Sequence, residues 1–216
     1  MKTILFDLDG TIMDSGEGIM ESAQYALNHF GFEKESLENL RRFVGPSLMY
    51  SFTTFYGLSE EDASRAVGLY REVYNGGNLF HAKVYDGMEE VLSKLKERGH
   101  QLIVVTSKPE NFVVRILAKF HLDSYFEGVI SPDLMDPSSD KARLIRRAMD
   151  KFHFQKVDAV MIGDTKYDML GAAETGLKSI GVTYGYGSLS ELMDAGACHL
   201  CEKPSEIFDL LSAREE

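Results

Sequence analysis

The stretch Thr3-Ile4-Leu5-Phe6-Asp7-Leu8-Asp9-Gly10-Thr11 decides how this chain is read. Thr3 to Phe6 is a mostly apolar run bounded by turn residues, the pattern of a short buried strand. Asp7 then falls at the carboxyl end of that strand, where open α/β sheets place their ligands. Asp9 follows after one residue, and Gly10-Thr11 turns the chain. Two carboxylates this close in a low-dielectric site repel each other unless a cation or a proton separates them. The rest of the chain has to supply what that pair lacks.

Working outward, Asp14 or Ser15 can cap a helix to about Phe30, with Ile19, Ala23, Leu27 and Phe30 on one face and Gly31 as its stop. Residues 33 to 82 carry many charges, helical periodicity and no convincing β run. Three short helices fit there, broken at Gly45-Pro46 and at Gly57-Leu58-Ser59, with Gly76-Gly77-Asn78 as a loop. Residues 14–83 therefore read as an α-helical cap inserted into a core made of residues 1–13 and 84–216. From Tyr85 onward helices and strands alternate. Strands are predicted at Gln101–Thr106, Gly128–Ser131, Ala159–Ile162, Ser179–Thr183 and near His199. Helices are predicted at Gly87–Arg98, from Pro109 to Phe120, and at Asp140–Phe152, Tyr167–Thr175, Leu189–Ala195 and Ser205–Leu211. That alternation predicts an α/β fold, a Rossmann-like doubly wound parallel sheet.

The 216 residues are 44% hydrophobic, ordinary for a globular protein that buries a core. A formal charge of −11 argues against nucleic acid as a partner, because a nucleic-acid binder needs a basic face. It also means that any phosphate site must be locally basic or loaded with metal. No apolar run approaches the ~20 residues that cross a bilayer, so no membrane partner is expected. Met1-Lys2 leads straight into a strand without a signal-peptide pattern, and the expected location is cytoplasmic. The cysteines, Cys198 and Cys201, lack a second pair to complete a zinc site and lie too late for a thioredoxin-like motif. They read as ordinary thiols beside a late strand.

Four features fall at strand ends or at a following helix start: Asp7 with Asp9, Thr106-Ser107, Lys141, and Gly163-Asp164 with Asp168 four residues on. In a parallel sheet these ends share one edge, so they can converge. Clustered carboxylates suit Mg²⁺, which takes oxygen ligands and keeps waters and a substrate phosphate. A carboxylate beside the metal can attack phosphorus. A lysine and a hydroxyl can hold the equatorial oxygens, and a second aspartate can serve as general acid and then base.

Asp7-Leu8-Asp9-Gly10-Thr11, Thr106, Lys141 and Gly163-Asp164-Thr165-Lys166-Tyr167-Asp168 resemble the four ordered motifs of the haloacid dehalogenase-like hydrolase superfamily. The helical insertion after the first motif resembles that superfamily's small α-helical cap, and the whole resembles its phosphoglycolate phosphatase-like subgroup. The resemblance implies a Mg²⁺-dependent phosphatase acting on a small phosphorylated metabolite through a phospho-aspartate. It implies Asp7 as nucleophile and metal ligand, and Asp9 as general acid/base whose backbone carbonyl also binds the metal. Thr106, Ser107 and Lys141 would hold phosphate, although relatives often carry Asn where Ser107 stands. Asp164 and Asp168 would hold or orient the metal. A monomer or weak homodimer is expected.

Each residue also has a plainer reading. Asp7 and Asp9 could be turn formers and helix caps, Lys141 a solvated helix residue, and Asp168 a helix cap. Lys108 is the alternative to Lys141. Tyr184-Gly185-Tyr186-Gly187 does not open a long helix and reads as a turn at the sheet edge rather than a phosphate cradle. Phe52, Phe55 and Tyr56 read as cap core, with Arg41, Arg42 and Gly45-Pro46-Ser47 as candidates to reach a substrate. Rival functions are a pyrophosphatase, a β-phosphoglucomutase-like phosphomutase and a phospho-aspartate receiver module. The mutases tend to carry an aliphatic residue where this chain has Thr11. A receiver lacks such an insertion and does not carry its phosphorylated Asp on the first strand.

Overall fold

The computed structural model describes residues 2–132 and 140–213. They divide into two compact units, Met1–Met13 with Val84–Glu216, and Asp14–Lys83. In chain order the strands are β1 (Thr3–Phe6), β2 (Met13–Asp14), β3 (Lys83–Val84), β4 (Gln101–Val105), β5 (Gly128–Ile130), β6 (Ala159–Gly163), β7 (Lys178–Val182) and β8 (His199–Cys201). The helices are α1 (Gly16–Asn28), α2 (Leu37–Arg41), α3 (Leu48–Tyr50), α4 (Glu60–Gly76), α5 (Met88–Glu97), α6 (Glu110–Lys119), α7 (Lys141–Phe152), α8 (Lys166–Thr175), α9 (Leu189–Asp194) and α10 (Pro204–Ser212).

The first unit is an α/β domain around a six-stranded sheet in the order β5-β4-β1-β6-β7-β8. Every pairing in it is parallel. The chain runs outward from β1 through β4 to β5, then restarts on the other side of β1 with β6 and continues to β8. The path thus changes direction at β1, which makes its carboxyl end the switch point where such sheets form a crevice. Leu5 lies level with Ile103 and Met161, and Phe6 with Val104 and Ile162. Because side chains alternate along a strand, Leu5, Ile103 and Met161 share one face of the sheet. There they pack with Leu144, Ile145 and Ala148 of α7 and Ala172 of α8. Burial on both faces explains why β1, β4 and β6 read as continuous apolar runs instead of alternating ones.

The second unit is helical. Ile19, Ala23, Ala26 and Leu27 of α1 and Ala63, Ala66, Val67, Tyr70 and Tyr74 of α4 are buried, and the two helices pack together. Ser36, Ser47 and Ser59 cap α2, α3 and α4 by accepting the backbone N–H three residues on. α3 runs into a single π-helical turn, Ser51–Phe55. Phe43 sits between Phe52 and Tyr56, at centroid distances of 5.0 and 5.7 Å. The predicted loop at Gly76-Gly77-Asn78 is different: Gly76 ends α4 and Asn78–Phe80 forms a 3₁₀ turn. Asn78 Nδ2 donates to Ser22 Oγ of α1 at 3.2 Å, a long-range contact that sequence pattern does not carry. Strands β2 and β3 pair where the chain leaves and rejoins the sheet unit, and at two residues each they are too short for a periodicity to announce them.

Candidate active site

β1 ends at Phe6, and the Asp7 N–H extends its ladder by donating to the Ile162 carbonyl at 2.9 Å. The next residues coil tightly. The N–H groups of Thr11, Ile12 and Met13 all point at the Leu8 carbonyl, and Gly10 N–H donates to Met13 O at 2.7 Å. Gly10 has φ +82°, which side chains rarely adopt, and a Cβ there would lie 2.0 Å from Asp164 Oδ2. The Asp-x-Asp-Gly-Thr order is therefore a turn that brings Asp7 and Asp164 to one place.

Asp164 follows β6 and is fully buried. Its Oδ2 accepts from the Tyr186 N–H at 2.8 Å and its Oδ1 from the Thr11 hydroxyl at 3.3 Å. Asp168, also fully buried, lies in the first turn of α8. Its Oδ2 accepts from the Thr165 N–H at 3.1 Å and the Thr165 hydroxyl at 2.8 Å, closing a capping box. Its Oδ1 faces Lys141 Nζ at 2.8 Å. The helix-cap role and a place in the site belong to different oxygens of one carboxylate.

Lys141 is the first residue of α7, whose cap Asp140 accepts from Ala142 N–H at 3.0 Å. The lysine is buried, not solvated. Its Nζ donates to Val105 O at 3.0 Å and lies 3.1 Å from Asp7 Oδ1. A Cβ on Gly171 of α8 would come 2.7 Å from Lys141 Cβ, so this stem needs a glycine opposite it. Thr106 is buried at the end of β4, its N–H donating to Ile130 O at 3.0 Å, and Ser107 beside it is half-buried. Lys108 is not a substitute for Lys141 but a second buried cation, with Nζ 2.8 Å from both oxygens of Asp9.

Carboxylate oxygens of Asp7, Asp164 and Asp168 all lie within 4.8 Å of one another, a group that could hold a metal ion. The Asp9 carboxylate is turned to Lys108 and is not in that group. Burial raises the Asp7 pKa to about 6; Lys141 opposes the shift, and Asp168 and Asp9 add to it. Burial, then Asp168 and Asp7, holds Asp164 well above the usual carboxylate range. For Lys141, burial works against the charge but Asp168 and Asp7 outweigh it, so the ammonium is held well above its ordinary value.

With all three carboxyls ionised, the one ammonium would leave two negative charges for a divalent cation to balance. Asp7 Oδ1 and Asp168 Oδ1 are buried and share the one Lys141 ammonium, at 3.1 and 2.8 Å. Buried carboxylates that share a single cation are left under-compensated unless another positive partner binds. The donors are all oxygen, which suits a hard cation. The residues present therefore fit the implied metal.

Of the residues selected from sequence, Asp7, Lys141, Asp164 and Asp168 meet directly, and Thr106 and Ser107 follow β4, the strand beside β1. Sequence pattern did not disclose the Lys108–Asp9 pair, the Thr11 hydroxyl, Gly171 or the contact between Tyr184–Gly187 and Asp164. The closely spaced glycines of that last segment were the one available signal.

The sequence profile described as haloacid dehalogenase-like hydrolase matches residues 4–182. A 5′-nucleotidase of Pseudomonas aeruginosa is 40% identical over 210 residues, covering 97% of this chain and 95% of that protein. A phosphoglycolate phosphatase of Vibrio parahaemolyticus is 29% identical over 98% of this chain and 96% of its own. A solved structure described as a "predicted phosphatase" from Clostridium acetobutylicum superposes with a TM-score of 0.94 at 43% identity, covering 98% of each chain. With the motifs in order, the profile spanning them and close relatives along nearly the whole length, the chain belongs to the haloacid dehalogenase-like hydrolase family.

Proposed function

We propose that this enzyme is a Mg²⁺-dependent phosphomonoesterase that works through a phospho-aspartate on Asp7, with residues 14–83 as a substrate-selecting cap. The observation that carries this reading is the triad Asp7, Asp164 and Asp168, three buried carboxyl groups beside the single ammonium of Lys141. Asp7, Asp164 and Asp168 would hold Mg²⁺ through carboxylate oxygens, and Asp9 through its backbone carbonyl. The ion would supply positive charge to the transferring phosphoryl group.

The chain's own groups divide the remaining work. An Asp7 oxygen attacks phosphorus in line, forming an acyl phosphate as the ester P–O bond breaks. Asp9 gives its proton to the leaving oxygen. It then takes a proton from water as that water attacks phosphorus, and Asp7 is released with inorganic phosphate. Thr106 and Lys141 hold the equatorial oxygens, with Ser107 beside them. The Lys108–Asp9 ion pair has to open before Asp9 reaches a leaving group. Thr11 favours this hydrolytic reading over a phosphomutase.

The relatives' names support two substrate classes, nucleoside monophosphates and phosphoglycolate. A phosphate-release screen with Mg²⁺ against both, plus sugar phosphates and pyrophosphate, tests the proposal. Release from phosphomonoesters, abolished by EDTA, restored by Mg²⁺ and independent of a bisphosphate activator, is the expected result. Undiminished release in EDTA would overturn the metal assignment, and a strict need for a sugar bisphosphate would favour the mutase.

A further inference from the structure

We propose that the Tyr184-Gly185-Tyr186-Gly187 turn is a built part of the cation site, a clamp that fixes Asp164 and ties it to both chain crossings of the sheet unit. The inference rests on the assignment of Asp164 as a Mg²⁺ ligand. The turn follows β7 and lies directly on Asp164. A Cβ on Gly185 would come 2.4 Å from Asp164 Cβ and 2.4 Å from Gly10 O. A Cβ on Gly187 would come 2.1 Å from the Asp164 carbonyl oxygen. The spacing of the two glycines is thus accounted for by backbone packed against a carboxylate, not by a phosphate cradle.

The contacts close a ring. Tyr186 N–H holds Asp164 Oδ2, Thr11 Oγ1 holds Asp164 Oδ1, and the Tyr184 hydroxyl donates to Thr11 O at 3.0 Å. Thr11 is therefore gripped from both sides, by its hydroxyl and by its carbonyl. The Tyr184 ring also meets Tyr85 edge to face at 4.7 Å, and Tyr85 N–H donates to Ile12 O at 3.1 Å. Thr11–Ile12 is the chain about to leave the sheet unit, and Tyr85 is the chain just returned to it. One turn thus braces a metal ligand and both crossings.

A ligand whose rotamer is already locked loses no freedom when a cation binds, and outer contacts of this kind are typically worth ~10–100-fold in metal affinity. Coupling is also reciprocal: if the clamp favours the cation, the cation must steady the clamp.

The experiment is Mg²⁺ titration calorimetry on the wild type, Gly185→Ala and Tyr184→Phe, with amide hydrogen exchange in the presence and absence of Mg²⁺. Gly185→Ala is expected to weaken Mg²⁺ by at least about 10-fold and Tyr184→Phe by about 3–10-fold. In the wild type, Mg²⁺ should slow exchange at the Tyr186 and Tyr85 amides, and Tyr184→Phe should abolish the effect at Tyr85. Tyr184→Phe removes a single oxygen and decides the matter if Gly185→Ala does not fold. Wild-type affinity in folded variants, even with a lowered Tm, would overturn the clamp alone. A wild type that binds no Mg²⁺ would overturn the cation assignment and the clamp together.

Discussion

Among the described residues, every buried aspartate and lysine belongs to the sheet unit: Asp7, Lys108, Lys141, Asp164 and Asp168. The buried residues of the helical unit are aliphatic, aromatic, the glycines Gly16 and Gly18 or, at Ser15, Ser22 and Ser51, small hydroxyls. Its charged groups lie outside, as in the Arg65–Asp62 ion pair and the Arg42 guanidinium 3.8 Å over the Phe55 ring. The helical unit is assembled by the ordinary hydrophobic route. The sheet edge does the opposite, burying charges at a cost to core stability that, under the proposed function, a cation and a phosphate would offset. Among the described residues, buried aspartate and lysine are thus confined to the sheet unit, so substitutions at its charged edge and in the apolar helical core should have different effects.

The largest effect expected is from Asp7→Asn. It keeps size and burial but removes the proposed nucleophile, so kcat should fall at least about 10⁴-fold while the thermal midpoint holds or rises. Phosphate-release kinetics and calorimetry check the two halves, and a parallel loss of both would break the contrast. Asp9→Asn should cost about 10²–10⁴-fold in kcat and slow both half-reactions, measured by pre-steady-state quench.

In the helical unit the pattern should invert. Phe52 is fully buried against Phe43. Phe52→Ala should cost about 3–5 kcal/mol in denaturant unfolding of that unit, with Mg²⁺ affinity unchanged. Gly171→Ala sharpens the comparison because it is apolar yet beside the site. The new methyl meets Lys141 Cβ, which should cost about 1–3 kcal/mol and lower kcat as the ammonium shifts.

The smallest expected effect is pH-dependent. Asp7 in the metal-free protein has its pKa raised to about 6, so it binds a proton more tightly folded than unfolded. Its contribution favours the native state at low pH and is lost as pH rises through about 6. Under the proposed function Mg²⁺ would compete with that proton, so the Mg²⁺-induced rise in Tm should grow from pH 5 to pH 8 and flatten in Asp7→Asn. A shift that shrinks with pH would remove proton competition from the account.

The same division explains what the amino-acid order disclosed. The position of these residues at one edge of the sheet was legible because a parallel sheet fixes where strand ends lie: Asp7, Thr106, Lys141 and Asp164 each needed only a strand or helix boundary to be placed. Long-range contacts were not legible. Lys108 and Asp9 are 99 residues apart, Thr11 and Asp164 are 153 apart, and no local periodicity encodes either pair. In the helical unit periodicity gave helices but not the π turn at Ser51–Phe55, because a single turn with one extra residue does not change the apolar spacing enough to be read.

A covalent bond between Asp7 and phosphorus is the step that defines the proposed mechanism. Acid quench during steady-state turnover of a hydrolysed phosphomonoester, followed by peptide mass spectrometry, tests it most directly. The expected result is one acid-stable, base-labile phosphoryl group on the peptide containing Asp7, enriched in Asp9→Asn and absent in Asp7→Asn. A phosphoryl group on another residue, or none on Asp7 in Asp9→Asn while turnover continues, would contradict it.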